Sequence, residues 1–277
     1  MQEGLAKRAG TGVIFVLVML FGLYGGRYSF VALFTVVTSL CLWEFLSLCL
    51  HNESKIDFYR KIIGVVFGML PFALVSILQL QTSSDYIKLG IVVLFPIIFL
   101  TFIFELFADS KRPFLNIAIL ILGAIYIGTP FSLLCYIAFY EEYFYANTVF
   151  GLLVLTWAND TGAYLAGSKF GKHKLFPRIS PKKSWEGAIG GFIVTLLIAW
   201  LISYYFRELN WWNWTVIAMI VSVFGPLGDL VESMLKRSID VKDSGNLLPG
   251  HGGFLDRFDA FIFMMPYVAA YIIWVRG

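Results

Sequence analysis

Charge is scarce in this sequence. Lys, Arg, Asp and Glu make up only 14% of its 277 residues, where a soluble globular chain carries roughly 25%. That deficit excludes a domain with an ordinary solvated surface. Cysteine is almost missing too. Cys41, Cys49 and Cys135 lie in apolar runs without pairing or metal spacing, which excludes a disulfide scaffold and leaves three buried thiols. Segments of about ten residues alternating apolar and polar, the pattern of a transmembrane barrel, do not occur. Neither a Walker A sequence nor a kinase motif set is found, which argues against a P-loop nucleotide site. The absence of an internal repeat argues against the repeated halves of many transporters.

Hydrophobic residues fill the gap, at 59% of the chain. They come in long runs rather than at amphipathic spacing, so the fold class is all-α, a polytopic integral membrane protein. Crossing the hydrocarbon takes about 20 apolar residues, and on that measure about nine transmembrane helices are expected, at 11–24, 28–50, 62–80, 87–107, 114–139, 147–167, 186–206, 212–235 and 254–275. The first run follows Lys7 and Arg8 as a signal peptide would. No clear small-x-small cleavage site comes after it, so it is expected to be retained as a short first span. The break at Gly25-Gly26-Arg27 leaves residues 11–50 as either a helical hairpin or one broken span.

Nine spans put the N-terminus and every second connection on one side. That side then holds all of the 21 Lys and Arg residues except Arg27, Lys88, Arg207 and Arg276. The bias places the N-terminus in the cytoplasm. A natural division falls between an N-terminal transmembrane region, 1–140, and a catalytic transmembrane region, 141–277, with two polar cytoplasmic connections.

Polar residues inside the spans are unevenly distributed. Glu44 and Glu105 lie near span ends and are expected to snorkel or to make structural hydrogen bonds. Asn159 and Asp160 interrupt an apolar span, and an ionised carboxylate there costs about 2.5–3.5 kcal/mol even on insertion scales. Asp160 should therefore line a polar cavity or pair with a cation. The basic connection 168–184 ends in Ser180-Pro-Lys-Lys-Ser-Trp-Glu-Gly187. It reads as an N-cap serine, a first-turn proline and then helix, whose free N–H groups with Lys182 and Lys183 would suit phosphate.

Further on, Asp229 and Glu232 are three residues apart on one helical face, and Lys236 follows Glu232 by four. A Glu232–Lys236 pair would leave Asp229 without a local partner. Asp256 and Asp259 repeat the spacing at the start of the last span. Carboxylates converging from different helices repel unless a cation bridges them, and oxygen-only ligands suit Mg²⁺. With the surrounding cations and a Gly-rich loop, these features fit a metal-bound polyphosphate at the membrane surface. The residues alone lead to metal-dependent phosphotransfer onto a lipid.

The stretch Ser233-x-Leu235-Lys236-Arg237-x4-Lys242-Asp243-x-Gly245-x2-Leu248-Pro249-x-His251-Gly252-Gly253-Phe254-x-Asp256-Arg257-Phe258-Asp259 resembles the signature of phosphatidate cytidylyltransferases, the CDP-diacylglycerol synthases. The run from Asp160 to Gly187 is similar to the family as well. The resemblance implies CTP + phosphatidate → CDP-diacylglycerol + pyrophosphate in bacterial-type phospholipid synthesis. It also implies a metal centre on Asp229 and Asp256 holding Mg²⁺, with K⁺ as an optional second ion. Lys236, Arg237, Lys242, His251 and Arg257 would contact phosphates or support the loop, with His251 positioning or hydrogen bonding. Asp160, Ser180, Lys182, Lys183, Ser184, Glu186, Gly252 and Gly253 complete the candidate substrate-binding set.

CTP, phosphatidate and membrane lipid are the expected partners, without nucleic acid, and a homodimer is compatible with the sequence. The expected place is the cytoplasmic (inner) membrane, multi-pass, with the active site toward the cytoplasm. Two other readings compete. A CTP-dependent lipid or polyprenol kinase would pass on the γ-phosphate instead of CMP. An ion-coupled transporter would use Asp160 and Asp229 near the midplane, but it leaves the 27-residue motif unexplained.

Overall fold

The computed structural model describes residues 2–50, 54–80, 85–140, 143–245, 247 and 252–276. Among these the chain is almost entirely helical, as its composition requires, and it packs as two units. The first comprises Met1–Glu142 together with Asp243–Leu255, and the second Tyr143–Lys242 with Asp256–Gly277.

The first unit holds α1 (Gln2–Tyr24), α2 (Arg27–Cys49), α3 (Lys55–Leu80), α4 (Asp85–Phe107), α5 (Pro113–Gly123) and α6 (Thr129–Ala138). A π-helical turn, Ala124–Gly128, joins the last two, and together they make one apolar stretch, Pro113–Ala138. Helices α1 and α2 form a hairpin, which settles the alternatives left open for residues 11–50. Gly26 allows the reversal, since its φ of 109° is closed to most side chains. Ser29 Oγ then donates to the carbonyls of Gly26 and Gly22, at 2.8 and 3.1 Å. The core is aromatic and aliphatic, with Phe30, Phe34, Phe45, Phe72 and Phe131 fully buried.

The buried charges of this unit are matched. Arg60 pairs with both Asp57 and Glu105. Asn116 Nδ2 donates to Glu105 Oε2 at 3.1 Å and to Ser110 Oγ at 2.8 Å. The structural hydrogen bond expected of Glu105 is therefore present, but the carboxylate is buried rather than snorkelling. Cys41 and Cys135 are buried free thiols, while Cys49 is only half-buried.

The second unit contains α7 (Ala146–Phe170), α8 (Trp185–Tyr205), α9 (Trp211–Ser238) and α10 (Leu255–Arg276), the last entering it from Asp256. Short, well-capped connections fix its helix ends. Glu208, between α8 and α9, accepts from the N–H groups of Asn147 (3.3 Å) and Thr148 (2.6 Å), which begin α7. Asn210 caps α9 by accepting from Asn213 N–H at 2.8 Å. Exposed Trp200, Tyr204, Tyr205, Trp211, Trp212 and Trp274 gather at the end of α8, the start of α9 and the end of α10. Amphipathic rings in such a belt suit a membrane–water boundary.

Six described segments are long and apolar enough to cross a membrane: Arg27–Cys49, Lys55–Leu80, Pro113–Ala138, Trp185–Tyr205, Trp211–Ser238 and Leu255–Arg276. Gly10–Tyr24 and Pro96–Phe107 are shorter apolar helical stretches. The protein is thus all-α with several helices long and apolar enough to cross a membrane.

Candidate active site

One sequence expectation is corrected at the entry to the site. Ser180 does not cap a helix. Residues Ser180–Ser184 form a β-strand, paired antiparallel with Lys174–Phe176. The physical reason is hairpin pairing: a residue before proline is extended both as a helix cap and in an edge strand, and pairing with Lys174–Phe176 selects the strand. The helix begins at Trp185, and Ser184 is its cap, its Oγ accepting from Gly187 N–H at 3.2 Å. The hairpin is held to α8 by Glu186. That carboxylate accepts from the N–H groups of Lys172 (3.1 Å) and His173 (3.2 Å) and lies 2.6 Å from His173 Nδ1. Glu186 is thereby committed to the hairpin.

The hairpin carries Lys182 and Lys183 over a cavity of about 480 Å³ within the second unit. Asp160, Asn159 and Tyr164 reach it from α7, Ser184 and Gly187 from the start of α8, and Pro226 and Asp229 from α9. The close approach of α7 and α8 depends on small residues. A Cβ on Gly187 would stand 2.9 Å from the Ala163 carbonyl oxygen. Asn159 is tied down on this contact, donating from Nδ2 to Thr195 Oγ1 at 3.2 Å. Asp160 remains exposed to the cavity, as its cost in an apolar span demands.

Asp229 is not left alone. Lys183 Nζ binds its Oδ2 at 2.6 Å and also donates to the Pro226 carbonyl at 3.2 Å. Ser233 Oγ donates to Asp229 Oδ1 at 3.2 Å. The spacing predicts no local partner for Asp229; Ser233 supplies a local hydrogen bond, and the charged partner comes from the hairpin. The Glu232–Lys236 pair forms as the spacing suggests, at 3.0 Å, and Lys236 Nζ also binds Asp256 Oδ1 at 2.5 Å.

Helix α10 approaches α9 where Gly228 has no side chain. A Cβ there would meet the Asp259 carbonyl oxygen and Phe263 Cβ, each at 2.6 Å. This contact brings the second acidic pair to the first. Asp259 lies within electrostatic reach of Asp229, Asp160 and Glu232, and Glu232 within reach of Asp256. Arg257 and Lys183 act on Asp160 in the same way. The result is a row of five carboxylates, Asp160, Asp229, Asp259, Glu232 and Asp256, against Lys183, Lys236 and Arg257. Glu232 is 1% exposed, and its Oε1 has no hydrogen-bond partner among the described residues.

The remaining candidates fall elsewhere. Arg237 donates to the Val241 carbonyl at 3.1 Å, and Lys242 is exposed at the end of the unit. Gly252 and Gly253 belong to the first unit, Gly252 with a left-handed φ of 81°. Ser180 does not line the cavity. His251 lies outside the described residues. Sequence reasoning missed Tyr164 and the Pro226 carbonyl, for which no motif gives a signal.

A family model described as the cytidylyltransferase family matches residues 6–275. The chain belongs to that family. It is also 36% identical over 265 residues to the phosphatidate cytidylyltransferase of Bacillus subtilis (strain 168), covering 95% of this chain and 96% of that one. The phosphatidate cytidylyltransferase of Staphylococcus haemolyticus (strain JCSC1435) is 35% identical over 245 residues, covering 85% and 90%. That of Staphylococcus aureus (strain COL) is 33% identical over 274 residues, covering 96% and 98%. The similarity therefore runs through both units.

Proposed function

We propose that the cavity and carboxylate row of the second unit are where this cytidylyltransferase family member moves CMP from CTP to phosphatidate, giving CDP-diacylglycerol and pyrophosphate. The observation that carries this reading is the pairing of Lys183 with Asp229 and of Lys236 with Asp256. Cations and carboxylates are thus interleaved in one place, as a reaction between two anions requires. A phosphate oxygen of phosphatidate attacks the α-phosphorus of CTP, a P–O bond forms, and the bond to the β-phosphate breaks. The attacking oxygen is already ionised at neutral pH, so no strong general base is needed. Catalysis then rests on positioning and charge neutralisation.

Lys182 and Lys183 approach the phosphates from the hairpin, beside the positive end of the α8 dipole. Lys236 holds Asp256 in place, and Arg257 adds positive charge opposite Asp160. Arg237, Lys242 and His251 serve the signature loop. The donor set fits Mg²⁺, which is commonly held by one or two carboxylates together with substrate phosphates rather than by an all-protein cage. Asp229 and Asp256 would hold it, with the buried Glu232 close by. When bound, the ion neutralises phosphate charge. In the membrane, nine spans with a cytoplasmic N-terminus place the hairpin and signature loop at the cytoplasmic face of the inner membrane, where CTP is found.

The test uses CTP labelled at either the α- or the γ-phosphate, with phosphatidate and purified protein. Label from the α position should enter the lipid while the γ label leaves as pyrophosphate. Recovery of γ label in lipid would establish a kinase instead.

A further inference from the structure

Glu44 is a buried carboxylate in the middle of the first unit, 3% exposed, with no part in the chemistry above. It lies on α2, about two hundred residues from its partners in sequence. Ser244 Oγ donates to its Oε2 at 3.0 Å, Phe254 N–H to its Oε1 at 3.0 Å, and Leu255 N–H to its Oε2 at 2.8 Å. These donors sit at the two ends of the segment Asp243–Leu255, which carries most of the signature motif and packs with the first unit. Two of them are the main-chain N–H groups at the start of α10, where a helix leaves donors without internal partners.

The motif is shaped to receive this carboxylate. A Cβ on Gly245 would stand 2.6 Å from Glu44 Oε1, and one on Gly253 would collide with Glu44 Oε2 and Ser244 Oγ. Both glycines let the loop backbone close on a side chain from α2. A three-way acceptor at these points fixes the entry and the exit of the loop together. The exit leads through one peptide bond to Asp256.

From this geometry we infer that Glu44 is a positioning residue for the reaction. It clamps both ends of the signature segment and so fixes the start of α10, whose next residue is Asp256. The inference rests on the reading that this loop and Asp256 serve the active site. Three bonds to one carboxylate give a definite requirement. Glutamine keeps the shape but replaces one acceptor oxygen by an NH₂ group, which would face a main-chain N–H or the Ser244 hydroxyl.

The experiment is steady-state kinetics of detergent-purified Glu44→Gln with CTP and phosphatidate, beside Asp256→Asn. A purely structural role would lower the folded fraction, hence apparent kcat, and leave both KM values unchanged. A positioning role predicts a rise of at least fivefold in KM for one of the two substrates, with kcat/KM down tenfold or more. Unchanged KM values for both substrates in Glu44→Gln, with Asp256→Asn inactive, would overturn the role of Glu44 and leave the site reading intact. An active Asp256→Asn would instead remove the site reading on which the inference rests, and the inference with it. Should Glu44→Gln not be recovered folded, Ser244→Ala decides in its place. A twofold or greater rise in KM supports the clamp, and unchanged values overturn it.

Discussion

The two units bury acidic residues in opposite ways. In the first, Glu105 meets Arg60 and Asn116, and Glu44 meets three donors. In the second, Glu232 and Asp259 are buried, whereas Asp160 is exposed and Asp229 and Asp256 are partly exposed beside Lys183 and Lys236. A buried acid whose acceptors are all filled supports the fold. Acids left partly exposed beside lysines can meet the charge of a substrate. That contrast is the ground for reading the acids of the second unit as catalytic.

The comparison can be broken most severely in the second unit. Chelation of divalent ions should abolish lipid product and readdition of Mg²⁺ should restore it, as measured by labelled CMP in lipid. Persistent turnover in excess chelator would remove the metal assignment. Lys183→Ala should follow, with a tenfold or greater loss of kcat/KM and a raised KM for CTP or phosphatidate. An unchanged profile would return Lys183 to the ordinary basic residues of a cytoplasmic connection.

Glu105, whose partners are Arg60 and Asn116 and not the signature segment, should respond in stability rather than in substrate affinity. Glu105→Gln leaves Arg60 with one carboxylate fewer, and breaking a buried pair costs about 3–5 kcal/mol. Its thermal unfolding midpoint should fall while both KM values stay as they were. A KM change there would erase the distinction between the units. The smallest effect is expected from Glu186→Gln, which weakens the hairpin at its exposed His173 contact and should lower kcat/KM only a fewfold.

Much of this was legible in the sequence. Each expected span lies on a helix or, at Pro113–Ala138, on a helical run with a π turn, and among the described residues six of these are long and apolar enough to cross a membrane. The interrupted span at Asp160 and the paired spacings of 229/232 and 256/259 marked the carboxylates that the structure brings together in the second unit. What stayed hidden was nonlocal. Lys183 reaches Asp229 across 46 positions, and Glu44 reaches the signature loop across some two hundred. Periodicity within one helix carries no trace of either. The Ser180 reading failed for a local reason, since Ser-Pro fits both a helix start and an edge strand, and hairpin pairing chose the strand.

The central claim is that the acids of the second unit are catalytic and not structural. Its most direct test is turnover of Asp229→Asn and Asp256→Asn with radiolabelled CTP and phosphatidate, run beside thermal unfolding of the same preparations. Loss of CDP-diacylglycerol by a factor of at least 100, with an unfolding midpoint close to that of the unaltered protein, is the predicted result. Turnover near normal in either folded variant would contradict it.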